Sequence, residues 1–345
     1  MKLIRGRLVS LELGRPLQID EDYCDVAEPT PVDEDNIRPT GIVMPPAGQM
    51  STSSLVAVIP VVRITAQMKK TMKSRTIAAA ALNTYDDHFS SIMASYPDPF
   101  PIHSQAYLDP RLLCAACGLQ TSRFFLYRHN LSVVCRRSDR LDALDRCVSV
   151  AHDTAHYVQR SMQPMQGSSG SGYYSPTHMA NWAARFRTMA PAFFCMHLWR
   201  CTLVLCLRME YGAALTLVQA SAAVGDMRKN NIGCGRNLAF FLDKLIGRLR
   251  SGATKQDLEI DEELLTYASG DMQGCAEESW AWAGSETGAN LSQMAGTNGY
   301  GTDRTTPPSL RGGEQGVPTL GPLSEREMQE WGGWEHVQRL SLIHI

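Results

Sequence analysis

The residues with the clearest potential for chemistry are His152, Asp153 and His156, in the string His-Asp-Thr-Ala-His. On a helix, histidines at positions i and i+4 lie on one face, where their imidazoles could hold a metal ion. The string imitates the H-E-x-x-H motif of zinc proteases, with Asp153 in place of the glutamate that acts as general base. A metal-dependent hydrolase is therefore one hypothesis. Because no third ligand is identifiable, the alternative is two surface histidines beside an aspartate.

A second candidate is the pair Cys114 and Cys117, which imitates a zinc ribbon together with Cys135 and Cys147 downstream. Zinc knuckles carry two tight cysteine pairs in polar turns that contain glycine. Here the first pair lies in an apolar run, and the later cysteines do not form a tight pair. We therefore predict buried thiols, and the ten scattered cysteines fit a reducing compartment better than a disulfide framework.

The elements that must position these residues are predicted to be helices, because apolar residues recur at helical spacing and no useful strand-period segment occurs. The clearest stripe contains Leu238, Phe241, Leu242 and Leu245, with charged residues mostly on the other faces. We predict an all-α fold, an irregular array of packed antiparallel helices with long loops. The predicted helices are residues 54–95, 108–135, 138–158, 175–207 with a break near Pro191, 213–224 and 230–251, with Ser138 and Gly252 as caps.

Composition divides the chain into a helical domain, residues 1–268, and a tail, residues 269–345. Within the first part, residues 17–54 are predicted to form a long surface loop. Glycine, serine and acidic residues mixed with aromatics predict a mostly disordered tail, with an activation segment as an alternative. A transposon end used in sequencing libraries would encode residues 340–345, so we expect these six residues to be an artefact.

Charge and hydropathy limit the classes of partner. The 345 residues have a net charge of −2, so no global basic field is available to hold nucleic acid. A basic cluster at residues 69–75 indicates either a solvated helix face or a nuclear-localisation or nucleic-acid patch. Residues 188–207 are nearly uncharged, but Arg200 would be costly in lipid, so a buried helix and no membrane association are predicted. The first residues lack an apolar core of signal-peptide length.

A further pattern lies at residues 10–25, where an apolar run ends at Gly14, Arg15 and Pro16 and an acidic loop with Asp20 and Asp25 follows. Glycine favours the end of a helix, and proline cannot continue one. The run resembles the helix end and Leu-Gly-Arg-Pro loop in the middle regulatory domain of fungal zinc-cluster (Zn2Cys6, Gal4-type) transcription factors. Since the family has an aspartate at the position of Gly6, we expect that the sequence upstream has been replaced or cut.

Other strings resemble the same family in the same order along the chain, and they contain Arg128, Asn130, Arg200, Gly235 and Arg236. The strings are residues 128–131, 151–155 with Arg160 after them, 198–203, 220–226, 234–242, 261–274 and 331–335. We call ten residues the family-motif residues of the chain: Gly14, Arg15, Pro16, Asp20, Asp25, Arg128, Asn130, Arg200, Gly235 and Arg236. We assign no catalytic, cofactor-binding or metal-binding role to any residue.

The resemblance implies the C-terminal part of a domain that restrains or releases transcription, sometimes by binding a small metabolite. It implies a nuclear protein whose partners are coactivators or corepressors and a second copy in a homodimer. DNA would be bound only through a separate N-terminal domain, where zinc is expected, and no cofactor is expected in this fragment. Three hypotheses follow: a regulatory fragment without catalysis, an effector-binding module with a helix-lined pocket, and the metal-dependent hydrolase using His152, Asp153 and His156.

Overall fold

The computed structural model describes residues 30, 32, 34–44, 54–163 and 176–270. Within these ranges the fold is all-α, as predicted from the sequence. The helices are α1 (Ser54–Thr71), α2 (Ala79–Ser95), α3 (Pro110–Arg128), α4 (Arg137–Met162), α5 (Pro176–Met189), α6 (Ala192–Leu207), α7 (Tyr211–Val224), α8 (Lys229–Arg250), α9 (Lys255–Ile260) and α10 (Glu262–Ser269). Short 3-10 turns occupy Glu34–Asn36, His129–Leu131 and Gly225–Met227.

A small hairpin lies inside the stretch predicted to be a surface loop. Strands β1 (Ile37–Arg38) and β2 (Gly41–Ile42) pair antiparallel, with Ile37 opposite Ile42 and Arg38 opposite Gly41. Gly41 has a φ of +127°, a backbone conformation that side chains with a Cβ rarely adopt. Both strands are exposed, so the hairpin adds no layer to the helical core.

Two helices, α3 and α6, form the centre of the core. In α3 every residue from Ala115 to Ser122 is buried, and in α6 so is every residue from Arg200 to Leu207. A helix that is buried on all sides needs neighbours on all sides. Helices α1, α4 and α5 pack on α3, while α4, α7 and α8 pack on α6. One continuous apolar core results, and α4 contacts both central helices.

Local sequence signals explain several helix ends. Asp109 caps α3 by accepting a hydrogen bond from the Arg111 N–H at 2.8 Å, and Pro110 occupies the first turn as predicted. Gly225 ends α7 as predicted, with a φ of +62°. Gly252 lies one residue beyond the Ser251 cap of α8, and its φ of +87° turns the chain away.

Three predicted boundaries are wrong. Residues 54–95 form two helices, because the chain turns after α1 and restarts at Ala79. The helix predicted at 108–135 ends at Arg128 and continues as a 3-10 turn, where Asn130 binds the backbone of another segment. Helix α4 begins at Arg137, so Ser138 lies inside the helix and Arg136 provides no side-chain cap.

The predicted helix start at Asn230 or Asn231 is also displaced. Helix α8 begins at Lys229, and Asn231 is buried in its first turn. Its amide Nδ2 donates to the carbonyls of Ser221 and Gly225, both at 2.9 Å. The side chain therefore satisfies two carbonyls at the end of α7. The sequence signal indicates an asparagine at the start of α8.

The predicted character of the cysteines is confirmed where the structure describes them. None of the eight cysteines in the described ranges forms a disulfide, and seven of them are buried. Cys114 and Cys117 lie in α3, and burial raises the pKa of both thiols. Thiols in such surroundings are inert packing groups, because the reactive thiolate is disfavoured.

The apolar run at 188–207 divides between α5 and α6, with the break at Ala190 and Pro191. The buried helix predicted there is α6, whose Arg200 lies only 4.7 Å from the centroid of the Phe125 ring. Among the described residues, no single helix is both long and apolar enough to cross a membrane; α5 and α6 reach that length only as a pair, bent by 117°.

Several sequence predictions lie outside the described residues. These are the Gly14-Arg15-Pro16 loop with Asp20 and Asp25, the Gly/Ser linker at 167–172, and the tail from residue 271 onward, including residues 340–345. Helix α10 ends at Ser269, close to the boundary predicted at residue 268.

Leu242 on α8 gives a direct test of the core. The side chain is fully buried, so Leu242→Asp would place a carboxylate without a partner among apolar groups. We expect the free energy of unfolding to fall by about 3–5 kcal/mol, measured by urea denaturation followed by circular dichroism. The exposed neighbour provides the control: Asp243→Ala is expected to change stability by less than about 0.5 kcal/mol. Equal effects at both positions would contradict the packing of α8.

Candidate functional site

The predicted His-Asp-Thr-Ala-His string lies in α4, where its members face different surroundings. The side chain of His152 is 46% exposed, and its Nε2 lies 3.9 Å from Oε2 of Glu210. Asp153 accepts a hydrogen bond from Nη1 of Arg123 on α3 at 2.7 Å. One oxygen of this carboxylate is therefore already engaged by a guanidinium from the neighbouring helix.

One cavity brings His152, Asp153 and His156 together with His103, which the sequence analysis did not include. The cavity has a volume of about 610 Å³, and Gly212 and Thr216 of α7 also line it. Three imidazoles therefore line one cavity. Yet among the described residues no three His, Cys, Asp or Glu side chains are arranged to hold a metal ion. The cavity thus brings potential ligands into one neighbourhood without forming a coordination site.

Thr154, between the two histidines of the string, is buried in the core. Its hydroxyl donates to the Val150 carbonyl at 2.9 Å and lies 3.0 Å from Nε2 of His197 on α6. Since the single hydroxyl proton is already donated, the oxygen accepts a hydrogen bond from Nε2–H of His197. Burial, together with the nearby positive charge of Arg200, lowers the pKa of His197 to about 3. His197 is thus a neutral, packed imidazole.

A second site forms where the family-motif residue Asn130 lies buried in the turn after α3. Its Oδ1 accepts from the Ile77 N–H at 2.9 Å, and its Nδ2 donates to the Ile77 carbonyl at 2.7 Å. Ile77 lies in the connection between α1 and α2. One amide side chain therefore satisfies both backbone groups of a residue more than 50 positions away. Asparagine is the residue type this arrangement requires, because it offers a donor and an acceptor side by side.

The ring of Phe125 gathers two further family-motif residues. The guanidinium carbon of Arg128 lies 5.2 Å from the ring centroid, and that of Arg200 lies 4.7 Å from it. Cation–π contacts of this kind contribute about 0.5–2 kcal/mol each, depending on burial. Helix α3 supplies Phe125 and Arg128, and α6 supplies the buried Arg200. Arg128 and Arg200 come from two separate strings of the resemblance, and the fold brings them to one side chain.

Next to this ring lies the basic pocket, a cavity of about 720 Å³ where the end of α3 meets the turn after α1. Its cationic lining is Lys73, Arg75 and Arg128, with the imidazole of His129 beside them, and no Asp or Glu among the described residues lines it. Nε2 of His129 lies 2.7 Å from the Ser74 carbonyl and can donate to it, which links the turn to the end of α3. The basic cluster predicted at residues 69–75 therefore contributes two residues to a shared cavity.

The remaining family-motif residues lie elsewhere. Gly235 and Arg236 lie in α8, outside the lining of the basic pocket. Sequence reasoning missed His103, His197 and the pairing of Arg123 with Asp153. It also missed the meeting of Lys73 and Arg75 with Arg128. The basic cluster can be recognised in the sequence. Its contact with the same cavity as Arg128 cannot, because the two are far apart along the chain.

Asn130 gives the sharpest structural test of the second site. Asn130→Ala would leave the buried N–H and carbonyl of Ile77 without partners, so we expect a loss of about 2–4 kcal/mol in the free energy of unfolding, measured by urea denaturation. Asn230→Ala is the matched control, because Asn230 is exposed on α8, and its change should stay below about 0.5 kcal/mol. A cost at Asn130 no larger than the control would show that the Ile77 contact does not stabilise the fold.

His197 predicts a dependence of stability on pH. The pKa of His197 is depressed in the folded state, to about 3, so between its ordinary value and that pH the unfolded chain binds a proton that the folded chain does not. Stability is therefore lost as the pH falls through this window, by up to about 1.4 kcal/mol per pH unit, and is unaffected above it. Urea titrations from pH 7 to pH 4 should show a smaller slope for His197→Gln.

The exposed His88 is the control for that measurement, and His88→Gln should leave the slope of the native protein unchanged. An identical slope in the native protein and His197→Gln would contradict a neutral buried imidazole.

Comparison with known proteins adds no assignment. No protein-family model, no curated protein and no solved structure matches this chain. The functional conclusion therefore depends on the chain's own residues and on the geometry described above.

Proposed function

We propose that this chain is a regulatory part of a fungal transcription factor of the zinc-cluster, Gal4-type class, and that it acts by binding an effector or a partner protein without catalysis. The observation that carries the proposal is the convergence at Phe125. Arg128 and Arg200, from two strings that resemble the family, flank this ring at 5.2 Å and 4.7 Å. Asn130, from the same string as Arg128, binds both backbone groups of Ile77.

The geometry of the described residues also supports binding over bond-breaking chemistry. In the string of the hydrolase hypothesis, Asp153 is paired with Arg123, and Thr154 binds the buried His197. A general base must be free to reach and accept a substrate proton, whereas the Asp153 carboxylate already accepts a hydrogen bond from Arg123. The basic pocket, by contrast, is open, of ligand size and next to the family-motif residues.

In the whole protein, this part would work in the nucleus with coactivators or corepressors, and a homodimer is one expected assembly. DNA would be bound through an N-terminal zinc cluster outside the printed sequence. An effector or partner that prefers one conformation of the helical domain would shift the balance between restrained and active states. The chemistry of this chain would therefore be recognition, and its output a change in transcription.

A transcription reporter tests the proposal. We expect the complete chain, fused to an unrelated bacterial DNA-binding domain in a fungal host, to change transcription from that domain's operator by about fivefold or more relative to the domain alone. A variant of the fusion with Lys255→Gln, an exposed surface change, is the control and should behave as the native chain. The genomic sequence upstream of Met1 should encode a six-cysteine cluster in frame.

Two results would count against this function. One is an unchanged reporter combined with an upstream sequence that lacks a cysteine cluster. The other is metal analysis of the purified protein that finds one equivalent of tightly bound zinc or iron, lost on His152→Ala. The second result would favour the metal-dependent hydrolase.

A further inference from the structure

The basic pocket carries positive charge that the described residues do not neutralise. Lys73 and Arg75 are exposed on the turn after α1 and line the cavity. Within the described part of the chain, no carboxylate lies within ion-pair distance of either side chain. A concave surface lined by one sign of charge focuses the electrostatic potential and concentrates ions of the opposite sign. The occupant that this charge favours is therefore an anion.

The same cavity has an apolar side. Met72, Phe125 and Val134 line it beside the cations, and Val134 is 36% exposed although it is a large apolar residue. The volume of about 720 Å³ falls within the range of small-molecule sites. Binding sites of this size combine an apolar wall with a few placed polar groups. A ligand with one anionic end and one apolar end would match both sides.

Two contacts hold the cations in place. His129 at the end of α3 reaches the Ser74 carbonyl at 2.7 Å, which fixes the turn that carries Lys73 and Arg75. The guanidinium of Arg128 packs on the ring of Phe125. Gly270 lies next to this guanidinium, since a Cβ at that position would be 3.4 Å from Nη1 of Arg128. Arg128 also lies in the last turn of α3, where a cation offsets the negative end of the helix dipole. The charge available to a ligand therefore comes mainly from Lys73 and Arg75.

We propose that the basic pocket binds a small organic anion, a carboxylate or a phosphate monoester, whose apolar part lies against Met72 and Val134. The anionic group lies between Lys73 and Arg75. The inference names the effector chemistry of the regulatory function proposed above and rests on that function for its biological meaning. The binding event itself is a property of the folded chain.

Calorimetric titration of the purified complete chain at low ionic strength tests this site with phenyl phosphate and phenylacetate as probes. We expect saturable binding of at least one probe, and weaker binding of inorganic phosphate, which has no apolar part. The double variant Lys73→Gln/Arg75→Gln should lower the affinity for the probe by about tenfold or more, because it removes two charge-assisted contacts. Raising the salt concentration should weaken binding in the native protein, because the cations are exposed.

The matched control removes the same charge elsewhere. Lys70 and Lys255 are exposed and do not line the cavity, so Lys70→Gln/Lys255→Gln should leave the affinity within about twofold of the native value. Circular dichroism of both double variants should match the native protein, because all four positions lie at the surface.

Three results would overturn the proposal: no saturable heat with either probe, equal affinity in both double variants, or displacement of the probe by a tighter-binding peptide of residues 271–290. The last result would assign the pocket to the acidic segment that follows it in the chain. Since titration of the purified chain involves no transcription, failure of anion binding leaves the reporter result intact. An unchanged reporter with tight anion binding would in turn refute the transcriptional role alone.

Discussion

The burial of α3 and α6 on nearly every side is the constraint on which the rest of the structure depends. A helix with no solvent-facing side must be covered all round, and the chain achieves this with α1, α4 and α5 around α3 and with α4, α7 and α8 around α6. Helix α4 contacts both, so the two groups share one core. Because the faces of the central helices are used for packing, functional surface is left mainly where helices end. The basic pocket lies at such a place, where α3 ends beside the turn after α1.

Two buried polar side chains of the described residues, Asn130 and Arg160, join distant parts of this core. Asn130 binds both backbone groups of Ile77. Arg160, fully buried on α4, donates to the carbonyls of Pro99, Pro101 and Ala106 and so holds the loop before α3. Burial lowers the pKa of Arg160, but three carbonyl acceptors compensate the buried charge. Both side chains therefore stabilise one arrangement of the loops that they contact.

The resemblance to the zinc-cluster regulators gains a physical interpretation from these contacts. Asn130 fixes a turn, Arg160 fixes a loop, and Arg128 and Arg200 flank one aromatic ring. The strings that carry the resemblance therefore contain residues of the framework. Lys73 and Arg75 lie outside those strings, yet they supply the exposed charge of the basic pocket. In the function proposed above, the strings would supply a framework, and the side chains that line the basic pocket would set its ligand preference.

The sequence by itself determined the all-α fold, the buried thiols and the position of most helices, because apolar spacing, caps and glycine stops are local signals. Stripes such as Leu238, Phe241 and Leu242 predict a buried face without knowledge of the neighbour. It could not determine where 54–95 would divide, since the backbone of Ile77 is satisfied by Asn130, far away in sequence. Nor could it show that Asp153 would meet Arg123, that His197 would be enclosed, or that Lys73 and Arg75 would face Arg128. Those pairings join separate helices, and only tertiary packing decides which charges neutralise one another and which stay available to a ligand.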